Sequence, residues 1–258
     1  MNAVTDSCDT AYSASAEFYE LVAARQAQSS GPALRAALAG VDLAAGPVLE
    51  IGAGTGRITE VIADALPDAE IVAAEPAAEM RAVLTSRTHA DPALRSRVTV
   101  TADSAQRIAA AGAGPSICAA VVFGVAGHLD LPDRVALWRT LGARLPEGGP
   151  IVVELMGVAT PRVIPPVRLL REQIGEQVYE WWSSGEPCGD GLMRFDTTWK
   201  VFAGGALVRE VAESHRWHTL TAAQLAAESG LAAERITQVD GQATAEITVL
   251  RRRTPRVR

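Results

Sequence analysis

The stretch V-L-E-I-G-A-G-T-G-R-I-T, from Val48 to Thr59, decides the fold that this sequence predicts. It begins with a short apolar run, Val48 to Ile51, which is typical of a buried parallel strand. Three glycines follow at alternate positions, and apolar residues then recur at helical spacing from Ile58 onward. Glycines let a ligand approach the backbone closely, and the helix N-terminus beyond them offers unpaired N–H groups. The stretch therefore predicts a strand, a ligand-binding loop and a helix.

The spacing of the glycines separates two kinds of nucleotide site. The dinucleotide fingerprint G-x-G-x-x-G needs a glycine where this chain has Arg57, which disfavours an NAD(P)-dependent oxidoreductase. The pattern E-x-G-x-G-x-G, from Glu50 to Gly56, instead resembles the first motif of the class I methyltransferases that use S-adenosylmethionine (SAM). The resemblance implies that Glu50 reaches the cofactor's ammonium group, usually through water, and that the loop wraps its amino-acid end. The loop residues expected to contact SAM are Gly52, Ala53, Gly54, Gly56 and Arg57. A glycine-rich turn without a ligand is the competing interpretation.

Composition bounds the class of protein. The chain has 258 residues, of which 48% are hydrophobic and 21% charged, an ordinary balance for a soluble globular protein. Its formal net charge of −6 argues against a nucleic-acid surface, and no apolar run is long enough to span a bilayer. Three cysteines without a C-x-x-C pair indicate neither a disulfide framework nor a zinc site. We therefore expect a cytoplasmic protein that binds neither nucleic acid nor a membrane.

A second buried strand, over residues 69–74, ends in Glu75 and Pro76. Glu75 follows the first glycine by roughly twenty residues, the separation at which a strand-end carboxylate accepts both ribose hydroxyls of a nucleotide. The helix that follows places Met80 where it would pack on the adenine. A solvated strand end is the alternative role for Glu75.

Two further strands end in residues of ligand-binding type. The strand at 97–101 leads to Asp103 and Ser104, and the apolar strand at 117–123 ends in Phe123 and Gly124. In the methyltransferases that the chain resembles, an Asp at the position of Asp103 binds the adenine amino group, and the backbone N–H of the next residue binds a ring nitrogen. Helix N-capping is a compatible role for Asp103 and Ser104. We expect all four residues to contact the cofactor.

Strands that alternate with helices, and that end in ligand-type residues, predict an α/β fold. The expected architecture is a doubly wound, Rossmann-like sheet with its ligand at the carboxyl edge. Strands at 150–155, 236–239 and 245–250 complete the seven-stranded class I methyltransferase sheet that the resemblance implies. We divide the chain into a helical lid (1–46), a SAM-binding core (47–156), a β-rich insertion (157–219) and closing elements (220–258).

The N-terminal segment is helical and carries aromatic residues on one face. Tyr12 and Tyr19 share that face, and Gly31-Pro32 predicts a break before a second helix that runs to about Leu38. In the methyltransferase family an N-terminal helix with a Tyr and a Phe-Tyr pair often covers the cofactor. The resemblance thus implies that Tyr12 and Tyr19 close the methyl-transfer chamber. Attachment of the helix to the sheet is the alternative role.

The insertion is rich in aromatic residues. A proline-rich connection, residues 157–166, precedes a candidate strand at 178–182 and a hairpin whose strands meet at Gly204-Gly205. Aromatic walls exclude water and hold an organic acceptor, so we expect Trp181, Trp182 or Trp199 to contact the acceptor. A core of the insertion itself, or a homodimer interface through it, is the alternative role of these side chains.

The chemistry that the resemblance implies is methyl transfer from SAM, with S-adenosylhomocysteine (SAH) as the second product. A hydroxyl acceptor needs a general base or a metal, whereas an amine must only lose a proton before it attacks. His128 is the best candidate base because it follows the fourth strand at the ligand edge and a histidine titrates near neutrality. Its alternative is a surface position, and His215 and His218 are weaker candidates. We expect no metal, because no carboxylate cluster is visible.

The acceptor is expected to be an amino group of a peptide or small molecule in bacterial natural-product biosynthesis. The chain resembles methyltransferases of such pathways, and within them those that methylate amino groups on peptides. Acidic residues of the insertion could attract a cationic amine: Glu180, Glu186, Asp190 and Asp196. O-methylation of a sugar or phenolic metabolite is one alternative, and a SAM-binding regulatory protein without turnover is another.

Overall fold

The glycine-rich loop begins at a strand in the interior of a seven-stranded sheet in the computed structural model, which describes residues 15–112, 114–155 and 158–252. The strands are β1 Val48–Ile51, β2 Ile71–Ala74, β3 Val98–Thr101, β4 Ala119–Val122, β5 Ile151–Glu154, β6 Ile164–Ile174, β7 Gln177–Gly189, β8 Leu192–Ala203, β9 Ala206–His218, β10 Ala232–Val239 and β11 Gln242–Arg251. The helices are α1 Ala16–Leu38, α2 Arg57–Ala65, α3 Ala78–Ala90, α4 Pro92–Arg97, α5 Ala105–Ala110, α6 Leu131–Arg144 and α7 Ala222–Ser229, with short 3-10 helices at Leu43–Ala45 and Ala126–His128.

The seven-stranded sheet has the order β10-β11-β5-β4-β1-β2-β3. Strands β1 to β5 are parallel, and β11 pairs antiparallel with β5. Ile51, the last residue of β1, pairs with Ala74 of β2 and Val122 of β4, which are also the last residues of their strands. The three strands therefore end at one level. The predicted doubly wound, seven-stranded sheet is confirmed.

Helices cover both faces of this sheet. Val48 packs with Leu34 of α1 and Ile62 of α2, while Leu49 packs in a second core with Leu137 of α6. Side chains alternate between the faces of a strand, so consecutive apolar residues of β1 serve two cores. This double burial explains why the strand is apolar throughout except at its one acid.

The lid is one helix where the sequence predicts two. Helix α1 runs from Ala16 to Leu38 and contains Pro32 in its interior, so the predicted break at Gly31-Pro32 is wrong. Gly31 and Leu34 are buried on the side that packs against α2, where Val61 lies under Gly31. A proline removes one backbone hydrogen bond from a helix. Tertiary packing of the following turn offsets that local loss.

The insertion forms a four-stranded antiparallel sheet of order β6-β7-β8-β9. The predicted hairpin at Gly204-Gly205 is confirmed, since β8 pairs with β9 on either side of it. The proline-rich segment was expected to be a connection, but Pro165 and Pro166 lie in β6. β6 is an edge strand, and register shifts occur on both sides of Val167. An edge strand tolerates prolines because one of its sides needs no N–H donor.

Aromatic side chains join the insertion to the rest of the chain. Phe18 of α1 stacks on Trp199 of β8, with ring centroids 5.0 Å apart. Trp217 of β9 lies against Gly127, where an added Cβ would be 2.0 Å from the indole. The insertion is therefore packed against both the lid and the ligand edge of the core.

Two kinds of feature are absent from the residues that the structure describes. Among them no helix is both long and apolar enough to cross a membrane. The same residues contain no group of three or more His, Cys, Asp or Glu side chains placed to hold a metal ion. The homodimer through the insertion stays a prediction, as do the bounds of the four segments.

Candidate active site

The loop after β1 adopts a backbone that requires glycine. Gly52 has a φ of 74° and Gly54 a φ of 56°, both in the left-handed region. A Cβ on Gly52 would lie 2.2 Å from the Val125 side chain, so the loop after β4 packs directly on it. The loop thus brings its backbone to the surface of a cavity at the carboxyl edge.

Glu75 connects this loop to the end of β2. Its Oε2 accepts a hydrogen bond from the Gly54 N–H at 2.8 Å, and its Oε1 accepts one from the Ala77 N–H at 2.8 Å. The carboxylate is buried, yet it lines the cavity. Because each carboxylate oxygen has two lone pairs, the group can still accept from a ligand diol while it holds the loop.

A first cavity lies over the ends of β1, β2 and β4. The predicted site residues that line it are Tyr19, Gly52, Gly54, Glu75, Pro76, Met80, Ser104, Phe123, Gly124 and His128. Sequence reasoning missed several neighbours that also line it: Ile51, Ala77, Ala105, Gln106, Val125 and Leu129. Each lies close along the chain to a predicted residue. Their positions at or just beyond the strand ends are therefore the sequence signal that could have identified them. Ser104 also caps α5, as its Oγ accepts from the Arg107 N–H.

Five predicted cofactor residues do not line this cavity: Glu50, Ala53, Gly56, Arg57 and Asp103. Arg57 instead pairs with Glu20 of α1 and with Glu60, and thereby ties the lid to α2. Asp103 forms an exposed pair with Arg107 at 3.5 Å. Ala53 is buried in the apolar cluster beneath the loop, and Gly56 is the N-cap residue of α2.

Glu50 is the acid inside the central strand. Its Oε2 accepts a hydrogen bond from Thr59 Oγ of α2 at 2.6 Å, and the residue is only 2% exposed. Burial raises the pKa of Glu50 to about 8; the Thr59 bond opposes this shift and the charge of Glu75 adds to it. In this position Glu50 fixes α2 on β1.

A second cavity adjoins the first, because Tyr19 and Gly124 line both. Tyr12, the other predicted lid tyrosine, lies outside the described residues. Burial raises the pKa of the Tyr19 phenol, and the charges of Glu75 and Glu154 raise it further. Tyr19 therefore keeps its proton at neutral pH, and it stands where the two cavities meet.

The insertion supplies an aromatic wall of the second cavity. Trp181 and Trp199 line it and stack with ring centroids 5.9 Å apart. Trp182 points to the other face of the insertion, where its indole donates to Glu180 and lies near Lys200. The structure thus brings two of the three predicted tryptophans to one chamber.

The acids of this chamber are not those that the sequence indicated. Glu180 pairs with Arg168 at 2.7 Å on the opposite face, and Glu186 and Asp196 both pair with Arg194. The second cavity is lined instead by three other carboxylates: Glu154, Glu213 and Glu246. They come from β5, β9 and β11, so only the tertiary structure brings them together.

His128 lines the first cavity and lies half-buried against the insertion. Its ring meets Trp217 edge-on at 4.7 Å and lies 5.8 Å from His215, which lines the second cavity. Burial lowers the pKa of His128 to about 4; the charge of His215 adds to this and a backbone hydrogen bond with Arg216 opposes it. The imidazole is neutral at pH 7 and is a weak base.

Residues 48–149 match a family model described as a methyltransferase domain. The chain carries a methyltransferase domain. The structure also resembles DesVI from Streptomyces venezuelae (17% identity, 92% of this chain and 98% of that chain, TM-score 0.69). It also resembles CalS10 from Micromonospora echinaspora, described as an amino pentose methyltransferase in calicheamicin biosynthesis (19% identity, 92% of this chain and 97% of that chain, TM-score 0.68). A third similar structure is the sugar N-methyltransferase KedS8 from a Streptoalloteichus species (18% identity, 95% of this chain and 89% of that chain, TM-score 0.57). No curated protein sequence matches the chain.

The predictions of a methyltransferase and of SAM as its cofactor are confirmed. The residues of the first cavity fit this group. Glu75 would offer carboxylate oxygens to the ribose hydroxyls, Met80 and Ala105 would offer apolar surface to the adenine, and the Gly52–Gly54 backbone would hold the amino-acid end. The methyltransferase would hold SAM with these residues.

We expect Glu75→Ala to weaken SAM binding roughly 10- to 100-fold, because it removes a buried charged acceptor. The same change frees the Gly54 N–H that fixes the loop. Calorimetric titration of SAM and SAH measures the loss, with the exposed Glu79→Ala as the matched control. Equal affinity of the two variants would contradict the assigned role of Glu75.

Glu50 makes the stability of the methyltransferase depend on pH. The pKa of Glu50 rises from 4.5 to about 8 on folding, so the native state binds the proton more tightly than the unfolded state. The stabilising contribution of Glu50 to the free energy of unfolding is fully present below pH 4.5. It is lost as the pH rises toward 8, at about 1.4 kcal/mol per pH unit. The free energy of unfolding, measured with urea between pH 5 and 8, should no longer show this loss in Glu50→Gln. The Glu79→Gln control should lose stability with pH as the wild type does. Parallel pH profiles for wild type and Glu50→Gln would refute this.

Proposed function

We propose that this methyltransferase N-methylates an amino group of a small natural product, with an amino sugar as the first candidate acceptor. The observation that carries the proposal is the second cavity. It opens beside the cofactor cavity and combines stacked indoles, Trp181 and Trp199, with the buried carboxylate Glu154 and the half-buried carboxylate Glu213. An aromatic surface and negative charge together favour a cationic organic molecule.

Similarity to known structures supports the acceptor class. CalS10 is described as an amino pentose methyltransferase and KedS8 as a sugar N-methyltransferase, and this chain covers 97% and 89% of them. Both match the insertion and the lid as well as the sheet, since 92% and 95% of this chain are covered. An acceptor of the same chemical class is therefore the first to test.

The chain's own residues would orient the acceptor and exclude water. When bound, SAM supplies an electrophilic methyl group on a sulfonium, so the protein's main contribution is alignment. Tyr19 stands between the two cavities, and its protonated hydroxyl can donate to a group at that junction. The indoles of Trp181 and Trp199 would cover the acceptor with apolar surface, and Phe18 stacks on Trp199. The neutral His128 is a weak base, which suits an amine better than a hydroxyl acceptor.

Two other acceptors use the same chamber and are outcomes of the test. A peptide amino terminus carries the same cationic group as an amino sugar. O-methylation of a sugar or phenol would need a group that removes a hydroxyl proton, for which His128 and His215 are the nearest histidines.

SAH release should be measured with 2-, 3- and 4-amino hexoses, their N-acetylated counterparts, trialanine and catechol. We expect turnover with at least one amino hexose and none with its N-acetylated form, because acetylation removes the nucleophilic lone pair and the charge. Mass spectrometry locates the added methyl. Turnover of N-acetylated sugars or catechol alone would establish O-methylation, and turnover of trialanine alone would establish a peptide acceptor.

Adjacent tryptophans provide a matched pair of variants for the acceptor chamber. Trp181→Leu should raise KM for the methylated acceptor roughly tenfold, because it removes an aromatic wall of the cavity. Trp182→Leu removes an indole on the opposite face and should leave KM unchanged. Steady-state kinetics with the best acceptor of the panel gives both values. Equal effects would show that the second cavity is not where the acceptor binds.

A further inference from the structure

The three carboxylates of the second cavity differ in their hydrogen bonds. The two oxygens of Glu154 accept from Ser30 and Gln26 of the lid. The two oxygens of Glu246 accept from the Arg235 guanidinium at 2.7 and 2.6 Å. Both groups thus have both oxygens engaged by protein donors.

Glu213 has one engaged oxygen and one that is not. Its Oε1 accepts from Ser15 Oγ at 2.7 Å and from Thr197 Oγ at 3.5 Å. Its Oε2 is buried and has no hydrogen-bond partner among residues 15–112, 114–155 and 158–252. A buried acceptor without a donor destabilises the empty site, so a ligand that brings a donor is favoured here.

The surroundings of Glu213 suit a carbon skeleton that carries an ammonium group. Glu213 pairs across the sheet with Thr197, and Trp199 lies two residues further along β8, on the same face. Trp199 pairs in turn with Trp181 of β7. A ligand whose ammonium meets Glu213 would therefore lay its skeleton on the two indoles.

We propose that Glu213 is the acceptor-binding and proton-accepting residue of this methyltransferase, an inference that rests on the proposed amine acceptor. The Glu213 carboxylate binds the ammonium ion of the acceptor and then takes one proton from it. The N–H bond breaks, its electron pair stays on nitrogen as the lone pair, and an O–H bond forms on Glu213. The lone pair is then available for the methyl group that the cofactor supplies, and the carboxyl later returns its proton to water.

The chemistry of neighbouring groups supports this assignment. Burial raises the pKa of Glu213, which makes its carboxylate a better proton acceptor than an exposed one; the bonds from Ser15 and Thr197 oppose that shift. Burial lowers the pKa of His215, and the charge of Asp196 opposes that shift. The titratable or charged groups that line the same cavity are Tyr19, Arg25, Glu154, Glu213, His215 and Glu246.

The test compares Glu213→Gln with Glu210→Gln, a change on the same strand. Glu210 lies on the other face of β9, where its side chain is half-exposed and 3.8 Å from Lys200. Calorimetry on the SAH complex of each protein measures binding of four sugars. These are 2-amino-2-deoxyglucose, 3-amino-3-deoxyglucose, 4-amino-4-deoxyglucose and glucose. We expect wild type and Glu210→Gln to bind one amino sugar at least tenfold more tightly than glucose. Glu213→Gln should lose that preference while its affinity for SAH stays unchanged.

Kinetics separates proton transfer from binding. With the amine that the wild type methylates, Glu213→Gln should lower kcat at least tenfold as well as raise KM, whereas Glu213→Asp should restore part of kcat. The aspartate variant also covers the case in which the glutamine variant fails to fold, because it keeps the negative charge at this position.

The outcomes distinguish this inference from the proposed function. A wild type that neither prefers nor methylates any amine overturns both. A wild type that methylates an amine, with a Glu213→Gln variant that keeps the binding preference and kcat, overturns only the role of Glu213. Loss of the preference in both Glu210→Gln and Glu213→Gln would indicate a general charge effect and would also overturn it.

Discussion

Parallel pairing of β1 with β2 and β4 is the constraint on which the rest of the structure depends. Ile51, Ala74 and Val122 are aligned last residues, so the loops that follow them leave the sheet side by side. The Glu75 carboxylate then bonds the Gly54 N–H across two of these loops. One hydrogen bond thereby sets both the shape of the glycine loop and the position of the acid that faces the cofactor.

The lid helix extends this edge into a chamber. Tyr19 of α1 lines both cavities, and Phe18 beside it stacks on Trp199 of the insertion. Ser15, Gln26 and Ser30, on the same helix, donate to carboxylates of the second cavity. Closure of the chamber is therefore a property of one continuous helix, whose interior Pro32 is tolerated because its buried face packs against the core.

Three carboxylates serve different purposes in this methyltransferase because their hydrogen-bond partners differ. Glu50 has a hydroxyl partner inside the core and fastens α2 to β1. Glu75 has backbone N–H partners and faces the cofactor cavity, so its charge is compensated by the protein itself. Glu213 has a donor on one oxygen only, which leaves an interaction for a ligand to complete. Glu50 and Glu75 are buried and Glu213 is half-buried, and the donors around each carboxylate decide what it can do.

The sequence by itself determined the strand, loop and helix around Gly52, the strand-end position of Glu75 and the doubly wound order of elements. These features depend on local patterns, namely apolar runs, glycines and the spacing between strand ends. The tertiary structure decided what spacing cannot express. It joined the two predicted lid helices, placed Trp181 and Trp182 on opposite faces, and put Glu154 and Glu213 in one chamber. Such contacts join residues far apart in the chain, and their geometry follows from packing between elements, which no local pattern records.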